Sequence, residues 1–149
     1  MAHELNAEDR QAISEVLALP GHLIDQGHLG RLGEVFTSDV VYDMSALGVG
    51  TFEGIDAIRS AALHLGPGNP IAHHTTNVVI SGESDGTATA LSKGLVLRAD
   101  GTLASVNHQD ALRRHDGGWR ISRRVISPQH TPLGGAHLAD AIREVREQS

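Results

Sequence analysis

The sequence predicts a single α+β domain, and three observations carry that prediction. Apolar residues recur at helical spacing through most of the first 65 positions, the pattern turns strand-like from Pro70 onward, and glycine-rich or Asp-Gly punctuation cuts that second part into four runs. Helices first and a long antiparallel meander afterwards define the class. A chain of 149 residues fits one domain with one sizeable core. A strongly curved antiparallel sheet with the N-terminal helices across its open side can enclose a pocket rather than a filled core.

Taken in order, Asn6 is placed to cap a first helix, with Glu8 and Asp9 in the first turn, where carboxylates favour the positive end of the dipole. Ile13, Val16 and Leu17 continue at helical spacing. Pro20 has no N–H and crowds the preceding turn, which predicts a kink or restart around Leu19 to Gly21. The segment from His22 then carries on towards Asp25 before Gly27 stops it. A short second helix over 28–36 offers Leu29, Leu32, Val35 and Phe36 as its stripe, with Thr37, Ser38 and Asp39 as the exit. Val40 to Met44 reads as a strand and Gly50 to Gly54 as a short edge strand or turn. A third helix runs from Ile55 to Leu65, apolar at Ile55, Ile58, Ala62 and Leu65.

The four sheet runs span about 71–81, 87–99, 102–115 and 118–127. They are separated by residues 82–86, by Asp100-Gly101 and by Asp116-Gly117, and Asp-Gly suits a type I′ hairpin because both central residues need φ > 0. The domain is placed at 1–127. Residues 128–149 read as a tail, irregular at first and ending in a short helix with Leu138, Ile142 and Val145 on one side.

Composition narrows the function classes. A net charge of −6 recommends neither a nucleic acid nor an anionic membrane as partner. The arginines at 113–114 and 120–124 alternate as a solvated sheet face would. There is no cysteine, so a disulfide framework and a thiolate nucleophile or ligand are excluded. The acidic first ten residues hold neither a signal-peptide pattern nor a membrane span, and the expectation is a cytoplasmic protein.

The working centre is placed at residues 70–80, Pro-Ile-Ala-His-His-Thr-Thr-Asn-Val-Val-Ile, a loop running into a strand. Strand alternation puts His73, Thr75, Asn77 and Val79 on one face and His74, Thr76, Val78 and Ile80 on the other. Only one of the two histidines points inward. The face with an imidazole, a hydroxyl and an amide suits a cavity. His22 and His28 flank Asp25 and invite a metal reading with His73 and His74, but the spacing matches no local zinc signature and no metal is expected. Gly66-Pro-Gly68 lacks the lysine and helix of a phosphate loop.

The order of these elements, with Leu32 to Asp39, the helix start at Gly54 to Ile58, His73 to Asn77 and Asp116 to Arg124, resembles the SnoaL-like branch of the NTF2-like superfamily. Asp25, His73, Arg124 and Thr131 to His137 are similar more narrowly to the hexachlorocyclohexane dehydrochlorinases. That resemblance implies a cone holding a small, mostly apolar molecule, no cofactor, and a homodimer or homotrimer. It puts the catalytic Asp/His pair on Asp25 and His73 and points Arg124 into the cavity, with Tyr42, Met44 and His108 as pocket lining. Those relatives carry a pocket lysine where this chain has Pro20, and aromatic walls where it has His108 and few rings.

An imidazole titrates near neutrality, at about 6.5, so it can accept a proton without carrying a permanent charge. A carboxylate on its far nitrogen fixes the tautomer and stabilises the imidazolium. The implied chemistry is proton abstraction from carbon followed by elimination or double-bond migration, with Arg124 stabilising an anion. Plainer roles stand beside these. His73 can be a structural hydrogen-bonded residue, Asp25 a solvated carboxylate or cap, Arg124 the cross-strand partner of Asp110, Tyr42 core, and His108 wall or acid. The alternatives to a lyase or isomerase are a non-catalytic small-molecule binding module of the same fold and a purely structural domain.

Overall fold

A computed structural model describes residues 4–149 and builds them into three α-helices and one curved six-stranded sheet. Helix α1 spans Ala7–Asp25 and opens on Asn6, whose side-chain oxygen accepts the Asp9 amide at 2.8 Å. The expected break at Pro20 does not occur. Pro20 is buried in the same stripe as Ile13, Leu17 and Leu23, so packing on the sheet outweighs one missing backbone bond and the helix runs on to Asp25.

The second expected helix is a 3-10 turn over Leu29–Glu34, and strand β1 then covers Phe36–Met44, so Phe36 opens a strand instead of closing a helix. Two glycines in that turn weaken helix formation. A distant strand supplies the ladder partners, Phe36 lying opposite Ile121 while Ile121 N–H donates to the Val35 carbonyl. Strand β2 (Gly50–Glu53) and helix α2 (Ile55–Leu65) follow, then β3 (Ala72–Gly82), β4 (Thr87–Leu97), β5 (Leu103–His115) and β6 (Gly118–Pro128), close to the bounds read from sequence.

The strand order is β2-β1-β6-β5-β4-β3. The meander is antiparallel throughout, but β1 joins β6 in parallel, so the sheet is mixed. No hairpin links those two strands, and a long connection leaves their direction free. At Asp116-Gly117 both residues take positive φ, 47° and 77°, as a type I′ turn requires. Asp100-Gly101 is built differently. Gly101 alone of the two has positive φ, and the Asp100 carboxylate closes the loop by accepting the Thr102 amide and hydroxyl at 2.9 and 2.7 Å.

Alternation along β3 is also interrupted. The register shifts between Thr76 and Val79 around Asn77, which has φ 58°, a conformation asparagine tolerates better than most residues. His73 and Thr75 therefore face inward as expected, but Asn77 is exposed, Val79 turns to the outer face, and Ile80 packs on the core.

Register sorts the inner face into rows. Ala88, Leu112, Ile121 and Phe36 form an apolar row under α1, beside Trp119 and the helix residues Ile13 and Leu17. The next row, Ala90, Asp110, Arg124 and Tyr42, is polar, and the one after it holds Ser92, His108 and Ile126. The inward positions of β4 are Ala88, Ala90, Ser92 and Gly94, small residues that leave the middle of the sheet room to bend and to hold side chains from its neighbours. Beyond β6, Pro132–Leu138 is a kinked turn and α3 spans Ala139–Glu147, with Ile142 and Val145 exposed.

Candidate active site

Strand β3 is an edge of the sheet, so backbone groups on its free side need partners from outside the ladder. At His73 that partner is Asp25. One carboxylate oxygen, Oδ2, accepts the His73 backbone N–H at 2.9 Å, and the other, Oδ1, lies 2.5 Å from ring Nδ1. A carboxylate there makes Nδ1 the protonated nitrogen and leaves the lone pair on Nε2. The side chains are 30% and 20% exposed, so the pair is half-buried at the free edge of β3 and the ring stays accessible.

Asp25 is also the last residue of α1, where the negative end of the helix dipole disfavours a carboxylate. The two donors from His73 offset that disadvantage. Gln26 and Gly27 close the helix just beyond, their amides donating to the His22 and Ile24 carbonyls, and this fixes where Asp25 ends up.

Arg124 faces inward, unlike its neighbour Arg123, so the arginines of β6 do not all belong to a solvated face. Its Nε and a terminal nitrogen donate to the two Asp110 oxygens at 2.7 and 2.9 Å, with 4% and 0% of the two side chains exposed. The cross-strand partnership open in the sequence is thus what the structure shows. Burial opposes the guanidinium charge, but the field and hydrogen bonds of Asp110, together with Tyr42, overcome it and hold the Arg124 pKa above its ordinary value. Tyr42 is pushed above the usual phenol range, chiefly by burial, and its ring stands edge-on to Phe36 at 5.9 Å. Met44, at the end of β1, is half-buried on the same alternating face as Tyr42.

His108 is buried, with Nδ1 3.2 Å from Ser92 Oγ. Its ring lies over Gly94, where a Cβ would come within 2.9 Å of it. Burial, then the Arg124 charge, then His73 lower its pKa to about 3, so it stays neutral. The sequence named Tyr42, His108 and Arg124, which the structure brings together on the inner face, and passed over Ser92, Gly94 and Gly21. The signal was the run of small residues at alternate positions of β4, which only register turns into a slot.

Among the described residues no three His, Asp or Glu side chains converge as metal ligands would. Two open surface grooves lie away from the polar rows. One of about 490 Å³ is lined by Gly30, Gly33, Glu53 and Arg59, and one of about 830 Å³ by Thr131, Pro132, Ile142 and Arg146. Neither includes the Asp25–His73 pair.

A model of a family described as SnoaL-like domain matches residues 6–125. No curated protein matches the chain. Among solved structures, an NTF2-like protein with a cystatin-like fold from Novosphingobium aromaticivorans is 28% identical with TM-score 0.69, over 91% of this chain and 88% of that one. A candidate scytalone dehydratase from the same organism is 22% identical with TM-score 0.67, covering 85% and 94%. A hexachlorocyclohexane dehydrochlorinase from Novosphingobium barchaimii is 20% identical with TM-score 0.65, covering 86% and 90%. At these last identities the likeness is one of fold.

Proposed function

We propose, from the premise that this chain belongs to the SnoaL-like domain family, that it is a cofactor-independent lyase or isomerase acting on a small, mostly apolar molecule. The observation that carries the reading is the double contact of Asp25 with His73, to main chain and ring at once. His73 Nε2 takes a proton from an activated carbon, and Asp25 holds the ring and stabilises the imidazolium as it forms. The electron pair left on carbon either expels a leaving group, giving elimination, or is reprotonated at another carbon, giving double-bond migration. Arg124 acts through its field on the developing anion, since two of its donors are engaged by Asp110. Tyr42, Met44 and His108 line the substrate's side of the sheet. General-base chemistry of this kind contributes ~10²–10⁴-fold.

The test is a panel of small cyclic ketones, hydroxyketones and chlorinated rings incubated in D2O and followed by NMR. Deuterium uptake or alkene formation is expected with the native chain, and a loss of about 10²-fold or more with His73→Ala and with Asp25→Asn, circular dichroism remaining native. Full activity in either variant ends the dyad reading.

A second reading, a binding module that orients a ligand without reacting, draws on the sealed Arg124–Asp110 pair. Ligand binding without any exchange at carbon would favour it. Both readings take the chain to work in the cytoplasm as a homodimer or homotrimer, the outer sheet face exposing Leu91 and Leu95 at 55% and 41%. Sedimentation measures the assembly. Among the described residues no helix is long and apolar enough to cross a membrane.

A further inference from the structure

We infer that Gly21 is a positioning residue of this site: its missing side chain lets α1 lie close enough to the free edge of β3 for Asp25 to reach both the main chain and the ring of His73. The importance of the contact rests on the dyad reading above, but its geometry does not.

Gly21 precedes Asp25 by four residues, one helical turn, so both present the same face to β3. In an antiparallel strand the N–H and C=O of one residue point to the same side, and at His73 that side is the free edge. Asp25 accepts the N–H, while Gly21 lies against the C=O. A Cβ built on Gly21 would stand 2.8 Å from the His73 carbonyl oxygen and 3.4 Å from the His73 Cβ, the first closer than carbon and oxygen approach without a bond.

The obstacle is rigid. It is a main-chain carbonyl of a residue paired with Val96 across the sheet, and it cannot rotate away as a side-chain tip can. Nor does Gly21 supply left-handed freedom, because it lies within α1 and is absent from the positive-φ glycines. Glycine inside a helix is less favourable than alanine, so local stability alone would place alanine here. With alanine the helix must retreat by roughly half an ångström or more to restore an ordinary C–H···O separation, and both Asp25 contacts lengthen together.

The test reads the ring nitrogens of His73 by ¹⁵N NMR, which needs no substrate. Among the ten histidines its signals are those lost in His73→Gln. The native chain is expected to show a fixed Nδ1–H tautomer. Gly21→Ala should lose that signature, Gly30→Ala should keep it because among the described residues nothing lies within 4 Å of a Cβ there, and Gly21→Ala with Asp25→Glu should regain part of it as the longer acid spans the wider gap. Retention of the native signature in folded Gly21→Ala overturns the inference. Should that variant not fold, Asp25→Glu alone carries the test: with α1 held close the longer acid is misplaced and the signature goes, whereas its survival overturns the claim. Signature lost in Gly21→Ala with exchange chemistry intact supports the positioning role and sinks the dyad mechanism, which keeps the two failures apart.

Discussion

Two buried residues on β5, His108 and Asp110, set the behaviour of the polar rows. His108 is neutral in the fold with its pKa lowered to about 3, while in the unfolded chain it titrates near 6.5. The unfolded state therefore binds more protons between those values. The stability His108 contributes is fully present above pH 6.5 and is lost as pH falls towards 3, with a slope approaching about 1.4 kcal/mol per pH unit. His108→Gln should flatten urea-unfolding stability across that window. An unchanged profile would mean that the imidazole is hydrated in the fold. Asp110 depends on Arg124 for its only charge partner in the row, so Arg124→Ala should destabilise by about 3–5 kcal/mol, chiefly by leaving an uncompensated carboxylate. Replacing the pair together by Met and Leu should recover much of that loss. The sequence offered Arg124 with Asp110 as one of two readings, and no composition rule could decide that the guanidinium points inward, because a bulge at Ser122 shifts the alternation of β6.

At the scale of elements, α1 shows what periodicity can and cannot tell. Its cap was legible, and Asn6→Ala should lower stability by about 1 kcal/mol in chemical denaturation because the Asp9 amide loses its acceptor. Its continuity through Pro20 was not, since that depends on what the far side of the proline touches. Strand β3 repeats the lesson. Period-two reading holds for His73 and Thr75 and fails from Asn77 onward, where one residue in left-handed conformation exchanges the faces. The Leu29–Glu34 turn and the start of β1 were misread as one helix because an apolar run that short fits either period until β6 supplies its ladder partners.

Across the molecule, the start of α1 is tied to the β5–β6 hairpin by a partly buried cluster. Asp9 on α1 accepts from Arg114 at 2.8 Å and from the Trp119 indole N–H at 3.1 Å, and the Arg114 guanidinium lies 4.7 Å from the Trp119 ring centre. Hydrogen bonding from Arg114, ahead of the opposing effect of burial, holds the Asp9 carboxyl below its ordinary value of 3.8. The stability from this tether is present above that value and is lost as pH falls through the lowered folded pKa. Asp9→Asn should shrink the acid limb of the melting temperature profile, to which the lowered carboxyls of Glu34, Asp39, Asp43 and Asp100 also contribute, while leaving the histidine limb at higher pH, and an unchanged acid limb would assign it to those other groups.

What the sequence determined by itself was local: the α+β class, the helix cap, the Asp116-Gly117 hairpin, the four-strand meander, and the presence of an acid and an imidazole in plausible places. Those follow from side-chain period and backbone preference, which act over a few residues. Only tertiary structure decided that β1 runs parallel to β6, that Pro20 sits inside an unbroken helix, that Arg124 is sealed against Asp110, and that Asp25 reaches His73 from 48 residues away. The physical reason is that each depends on the distance and register between segments remote in the chain, and on how closely a glycine lets two backbones approach.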